Sequence, residues 1–183
     1  MNTQGTRHLG AAVGTTTFKQ LYVTNKVANW TEAVKNLAVI AQSELHAAFS
    51  AFTHALQCQW TFLSRVMPDI ADLFAPLEHA IRTVFLKSLL KKDVNDIERA
   101  MLALPARLGG LGILNPIESS YISHENSKFI SAPLVNLILH QEPDFDPREI
   151  LDEVKMLRYI VDTKAQEIGK INLQDVLGKS TPC

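Results

Sequence analysis

The chain has 183 residues, of which 46% are hydrophobic and 20% charged, and its formal net charge is −1. A chain of this size and composition can bury the core of one domain or of two small ones. Its longest apolar runs, such as residues 134–139, are far shorter than the roughly 20 residues of a membrane-spanning helix. Two cysteines, Cys58 and Cys183, and the lack of an apolar leader argue against a disulfide-rich secreted scaffold. They predict an intracellular protein, in the cytoplasm or the nucleus.

The first 14 residues are predicted to be extended, with Gly10 and Gly14 as turn or bulge signals. From about residue 16, apolar residues recur at spacings of three and four, which predicts helices over about 16–42, 45–66 and 69–91. Pro76 is expected to start a new helix or to kink the third one. The sequence therefore predicts an all-α fold, an irregular bundle of about six or seven helices with a short extended N-terminal segment.

Several later helix starts are marked by capping residues. Asp93, with Asp96 three positions later, predicts the start of a short helix that ends at Leu104. Asn115–Pro116 and Asp146–Pro147 each place a capping residue before a proline at the first helical position. Ser131 followed by Pro133 is a third, weaker start. Large side chains at helical spacing are expected to share one core: Trp30, Phe49, Phe52, Trp60, Phe85 and Leu108.

The C-terminal part contains the best linker of the chain, residues 142–146. We therefore expect three segments: an extended piece over 1–14, a helical domain over 15–141 and a C-terminal helical arm over 145–178. Within the arm, residues 147–168 carry apolar side chains at the spacing of a coiled-coil seam. That seam could bind a helical protein partner or a second copy of the chain. The seam is short, which favours a helix that packs back on the same domain.

The charge of the chain is distributed unevenly. Residues 1–92 contain nine Lys and Arg against five Asp and Glu, whereas residues 93–183 contain nine against fourteen. In the basic half, Lys19, Lys26 and Lys35 lie about two turns apart on one predicted helix and could follow a phosphate backbone. An ordinary solvated helix face explains the same residues equally well.

Three glycines in four positions mark residues 104–113 as a sharp apolar turn. Each glycine would cost about 1 kcal/mol relative to alanine inside a helix. Gly109, Gly110 and Gly112 are therefore predicted to form a structural turn packed against the core, where the backbone passes close to its neighbours or takes a positive φ. We expect Gly110 to tolerate a larger side chain least.

This turn is also part of a resemblance to a known family. The phrase from Leu104 through Arg107 and the glycines to Asn115–Pro116 resembles a stretch that follows the polymerase core in reverse transcriptase-like proteins of animal retroelements, the non-LTR or related retrotransposons. Further phrases of that C-terminal region occur in order between about Gly5 and Gln141. They include Arg7-His8-Leu9-Gly10, Tyr22-Val23, Trp30, Ala47-Ala48-Phe49, Trp60 and Pro76-Leu77-Glu78.

The resemblance implies a non-catalytic role. In the family, Leu-Gly after a basic residue is similar to the primer-grip turn, which places Arg7 and His8 near a primer strand, and the helices that follow are similar to the thumb. The polymerase palm with its Tyr-x-Asp-Asp turn has no counterpart, because no two aspartates are adjacent in the 183 residues. The resemblance thus implies a weak nucleic-acid binder, for primer–template or RNA, that is a part of a polymerase and not an enzyme by itself.

Other chemistry finds little support in the sequence. His54 and Cys58 lie four residues apart on one helix, but a zinc site needs three or four ligands, so we expect no metal. The glycine turn lacks the Lys-Ser/Thr pair of a P-loop, and no cofactor is expected. A lone carboxylate such as Glu78 is more often solvated than catalytic. Two classes of function remain: the nucleic-acid-binding thumb, and an all-helical interaction module without a nucleic-acid role.

Overall fold

The computed structural model describes residues 4–141 and 146–179. Cys183 and most of the expected linker lie outside these residues. The described part is an all-α bundle preceded by a small hairpin, which confirms the predicted fold class. The hairpin consists of β1 (Gly5–His8) and β2 (Ala11–Gly14). The helices are α1 (Thr16–Ile40), α2 (residues 45–66), α3 (residues 71–90), α4 (Asp96–Ala103), α5 (Pro116–His140) and α6 (Pro147–Lys179).

Helices α2 and α3 each contain a wider turn. In α2, Leu45–Ala51 and Gln57–Val66 flank a π-helical turn at Phe52–Leu56. In α3, a 3₁₀ turn at Ala71–Phe74 precedes Ala75–Ala80, a second π-helical turn at Ile81–Phe85 and Leu86–Leu90. Pro76 lies in the first turn of its α-helical segment, as predicted for a helix start. The extra residue of a π-helical turn rotates the apolar side chains that follow it around the helix axis. The apolar face of each helix therefore still points toward the core after the turn.

Helix α4 begins later than predicted. Its N-cap is Asn95 and not Asp93: the Asn95 side chain accepts from the Glu98 N–H, and the Glu98 carboxylate accepts from the Asn95 N–H. Asp93 instead pairs with Lys87, with Nζ and Oδ1 2.8 Å apart. The Lys92 ammonium, with the Asn95 N–H, holds the pKa of Glu98 below its ordinary value.

Helix α5 is continuous from Pro116 to His140, so the predicted start at Ser131 is wrong. The Ser131 hydroxyl donates to the Lys128 carbonyl within the helix, and Pro133 lies inside it. Helix on both sides holds the proline in place although it lacks the N–H for one helical bond. The predicted start at Asn115 is correct, since its side chain accepts from the Ile117 N–H.

The core is aromatic and lies between α1, α2 and α3. Trp60 and Phe52 are fully buried, with ring centroids 5.7 Å apart in an edge-to-face contact. Phe52 stacks on Phe85 at 4.6 Å, which joins the two π-helical turns. Trp30 is also buried and contacts Trp60 edge-on at 6.1 Å. Four of the six predicted core residues are therefore buried here, and Phe49 packs at the edge of the core.

Leu108, the sixth predicted core residue, lies elsewhere. It is half-buried beneath α6, where a methyl group on the buried Gly169 would lie 3.1 Å from Leu108 Cδ1. Helix α6 packs on α5, on α4 and on the short turn Ala106–Leu108, so it returns to the bundle. Among the residues that the structure describes, no helix is long and apolar enough to cross a bilayer.

Candidate nucleic-acid interface

The hairpin presents Arg7 and His8 on an exposed strand. β1 and β2 pair antiparallel, with Arg7 opposite Ala12 and His8 opposite Ala11. The two turn residues, Leu9 and Gly10, have φ of 46° and 87°, the pattern of a type I′ hairpin turn. Leu9 is 84% exposed and has a left-handed backbone conformation. For a leucine this conformation costs on the order of 1–2 kcal/mol.

Contacts from three directions fix the hairpin to the bundle. The Tyr22 hydroxyl donates to the Gly10 carbonyl oxygen at 2.8 Å. Ala12 is buried, and a methyl group on Gly10 would lie 3.3 Å from Cε1 of Phe62 on α2. At the open end, the Thr15 N–H donates to the Gln4 carbonyl oxygen at 2.8 Å, and Thr15 then caps α1. The tip of the hairpin is therefore held against α1 and α2.

Arg7 and His8 do not face the same way. Neighbouring residues of a strand point to opposite faces, so Arg7 shares a face with the buried Ala12 while His8 shares one with Ala11. Both side chains are exposed. A nucleic-acid strand that lies along one face of the hairpin would therefore contact one of these two side chains. It would reach the other only at the edge of the hairpin.

Two of the three predicted lysines lie on one side of α1. Lys19 and Lys26 are seven residues apart, close to two turns, and both are half-buried at the edge of the face that packs on the core. The Lys26 ammonium lies 6.0 Å from the ring centroid of Tyr22, the residue that holds the hairpin turn. Lys26 thus lies beside the residue that anchors the hairpin turn, and Lys19 lies on the same side of α1.

Lys35 does not extend this surface. It follows Lys26 by nine residues, about two and a half turns, which places it on the opposite side of the helix. Its ammonium pairs with Glu32 at 3.4 Å. The expected row of three lysines is therefore a pair, and Lys35 belongs to an ordinary solvated face.

The charge of this surface has one sign. No Asp or Glu occurs before Glu32, so the hairpin and the first four turns of α1 carry Arg7, Lys19 and Lys26 with no acid among them. The acidic balance of the second half comes from residues 93–146, which hold eight Asp and Glu against three Lys and Arg. Helix α6 itself, with six of each, is neutral.

The glycine turn is held between two polar side chains of the bundle. From one side, Arg99 donates to the Ile113 carbonyl at 2.8 Å and forms a two-point ion pair with Glu78. From the other, Gln57 donates to the Gly112 carbonyl and accepts from the Leu114 N–H, both at 3.0 Å. Glu78, expected to be solvated, is thus largely shielded from solvent and pairs with the arginine that holds the turn.

The three glycines play different parts in the turn. Gly109 and Gly112 have φ of 83° and 67°, and added methyl groups there would meet nothing within 4 Å. A methyl on Gly110 would lie 2.0 Å from the Leu104 carbonyl oxygen. Close approach of two backbone segments therefore requires glycine at 110, and left-handed backbone favours it at 109 and 112.

The structure adds no metal chemistry to this surface. The Cys58 thiol donates to the His54 carbonyl at 3.6 Å within α2. Across residues 4–141 and 146–179, no three His, Cys, Asp or Glu side chains are placed to hold a metal ion.

Comparisons with known proteins add nothing to the resemblance. No protein-family model matches the chain, and no curated protein and no solved structure is detectably similar to it. The resemblance to reverse transcriptase-like proteins is therefore carried by the sequence motifs alone.

Proposed function

We propose that this chain is a non-catalytic nucleic-acid-binding module, a thumb-like part of a retroelement reverse transcriptase. The observation that carries the proposal is the acid-free hairpin and helix start, in which Arg7, Lys19 and Lys26 share a surface with a strained, exposed turn. Strained exposed turns of this kind occur disproportionately at binding sites. The resemblance of Arg7-His8-Leu9-Gly10 to a primer-grip turn points to the same role.

Binding of this kind comes mainly from phosphate contacts. Lysine and arginine side chains neutralise backbone phosphates and fix the position of a strand, but they do not distinguish one base sequence from another. The exposed side chains of the hairpin are one arginine, one histidine and small or apolar residues, so its positive charge is what it offers to a phosphate backbone. The expected binding is weak, sequence-independent and sensitive to salt.

An anisotropy titration of a fluorescent primer–template duplex at low salt tests the proposal. Arg7→Gln, Lys19→Gln and Lys26→Gln combined should weaken binding by roughly tenfold or more, because three phosphate contacts are lost. Lys155→Gln with Lys164→Gln is the control on α6 and should change the affinity little. If the wild-type chain does not bind at low salt, or the triple variant binds like the wild type, the proposal is wrong.

Lys35 provides a matched single-residue control. Lys19→Gln and Lys35→Gln remove the same charge from the same helix, but Lys35 lies on the opposite side from Lys26 and pairs with Glu32. The first change should weaken binding clearly more than the second. Equal effects would mean that general attraction by net charge, and not the hairpin surface, is responsible.

An all-helical interaction module is the second candidate, and one observation favours it. Near the C-terminal end of α5, Ile138 and Leu139 are 71% and 72% exposed, and on α6 Tyr159 is 71% exposed. Adjacent exposed apolar side chains of this size are typical of protein contact surfaces. Sedimentation of the wild type and of Ile138→Lys tests self-association: a dimer that the substitution dissociates would support this candidate, and a monomer would count against self-association.

A further inference from the structure

A groove of about 600 Å³ lies where the end of α2 meets α5 and α6. Arg65 enters it from α2 and Arg158 from α6, while α5 contributes mostly hydroxyl and amide side chains, among them Asn126, Ser127 and Ser131. The end of α2 is held against α5, since Nδ1 of His124 lies 3.2 Å from the Arg65 carbonyl oxygen. Two arginines from distant parts of the chain thus line one groove, together with polar and aliphatic side chains.

Neither guanidinium is neutralised by a neighbour. Within residues 4–141 and 146–179, Arg65 and Arg158 form no ion pair, although Lys35, Lys128, Lys155 and Arg148 pair with acids close by in sequence. Asp162 also lines the groove and follows Arg158 by one turn, but it forms no ion pair. The groove therefore has one more positive than negative charge, on side chains whose hydrogen-bond donors are available to an anion.

The groove is linked to the hairpin surface through α2. The ring edge of Phe62 lies against Gly10 at the hairpin tip, and the ring is 46% exposed. Phe62 and Arg65 are three residues apart and are therefore neighbours on the surface of α2. A path leads from the hairpin over the exposed ring to the two arginines. It meets no carboxylate of α2, because residues 45–66 contain no Asp or Glu.

We propose that this groove is a second phosphate-binding site, and that one nucleic-acid strand runs from the hairpin over Phe62 to Arg65 and Arg158. A guanidinium group can donate two parallel hydrogen bonds to the oxygens of one phosphate. An exposed aromatic ring can stack on any base. The proposal rests on the nucleic-acid role proposed above and extends the binding surface to residues outside the N-terminal basic segment. The strand class is single-stranded RNA or DNA, since a base must be free to stack on Phe62.

Single-stranded oligonucleotides of two lengths test the path, one long enough to reach only the hairpin and one long enough to reach the groove. Arg65→Gln with Arg158→Gln should weaken the long strand by roughly tenfold and lower the magnitude of its log–log salt slope by about 1.4, the value for two phosphates on a single strand. The short strand should be unaffected. Phe62→Ala should also weaken the long strand, by about fivefold or more, through lost stacking.

A matched control separates the groove from general charge. Arg148→Gln with Lys155→Gln also removes two positive charges, both from α6, at residues that pair with Asp146 and Asp152 outside the groove. Thermal melting of each variant checks that the fold is intact. If the wild type binds and the N-terminal triple variant weakens it, but the Arg65 and Arg158 double variant behaves like this control, the groove proposal fails and the hairpin proposal stands. If the wild type binds the primer–template duplex but neither single strand, the groove proposal fails alone. If it binds none of the three, both proposals fail.

Discussion

Arg99 and Glu78 form a two-point ion pair in the interior of the bundle, with Nε–Oε1 at 2.6 Å and Nη2–Oε2 at 2.7 Å. Two of the three remaining guanidinium hydrogens reach the carbonyls of Ile113 and Leu114, so four of the five donors of this buried side chain have partners. The pair joins α3 and α4 to the segment that follows the glycine turn. The turn is therefore held by side chains far away in sequence as well as by its own glycines.

Removing one partner of this pair should be strongly destabilising. Glu78→Gln leaves the Arg99 charge buried without its counter-charge, and such changes cost about 3–5 kcal/mol of unfolding free energy. Urea unfolding of Glu78→Gln and of Lys35→Gln, which breaks an exposed pair instead, measures the difference. The exposed change should cost less than about 1 kcal/mol. Similar losses in the two variants would show that Glu78 is solvated, as the sequence alone suggests.

The glycine turn should respond unevenly to alanine. Gly110→Ala places a methyl against the Leu104 backbone and should cost about 3 kcal/mol or more. Gly109→Ala and Gly112→Ala meet free space, so each should cost only the strain of a left-handed backbone, about 1–2 kcal/mol. Chemical denaturation of the three variants measures this order. If Gly110→Ala is the mildest of the three, the backbone does not pass as close to Leu104 as described.

Trp60 should be among the most sensitive core positions. Trp60→Ala removes a fully buried ring that contacts Trp30 and Phe52, at a cost of about 3–5 kcal/mol. Trp60→Phe should cost much less, because it keeps a ring and removes an indole N–H that has no partner among the described residues. Phe129→Ala, at an exposed position of α5, is the control. A melting temperature unchanged by Trp60→Ala would contradict the buried position.

Glu98 should link the stability of the fold to acidic pH. Its pKa is lowered from the ordinary 4.5, chiefly by the hydrogen bond from Lys92 and then by the Asn95 N–H, so the ionised form stabilises the folded state. That contribution is complete above pH 4.5 and is lost as the pH falls through the lower folded pKa. The melting-temperature difference between wild type and Glu98→Gln should therefore be present at neutral pH and shrink in acid. A difference that grows in acid would contradict this sign.

Local signals predicted the elements well, and their failures have local causes. Asn115 is a helix cap that depends only on neighbouring residues, and the sequence predicts it correctly; Thr15 caps α1 through a similarly local contact. Asp93 and Asn95 are both good capping residues two positions apart. The choice of Asn95 reflects Glu98, which completes the capping box, and Lys87, which binds Asp93. The predicted start at Ser131 is wrong because the helix continues on both sides of Pro133 and holds that proline inside α5.

The candidate interface was predictable only where it is continuous in sequence. The hairpin glycines and the pair Lys19 and Lys26 follow from spacing, and the nine-residue step to Lys35 already places that lysine across the helix. The meeting of Arg65 with Arg158, which lie in different helices, depends on how α6 returns to the bundle. The spacing of residues within either helix does not predict how the two helices pack against each other.

The salt dependence of binding tests the central claim, that the chain holds nucleic-acid phosphates, most directly. The observed association constant for a primer–template duplex should decrease as the salt concentration is raised from about 50 to about 200 mM. The magnitude of the negative log–log slope should be at least about 2.7, the value for three phosphate contacts on duplex. The variant without the charges of Arg7, Lys19 and Lys26 should give a clearly flatter slope. A wild-type slope near zero, or the same slope in the variant, would contradict the account.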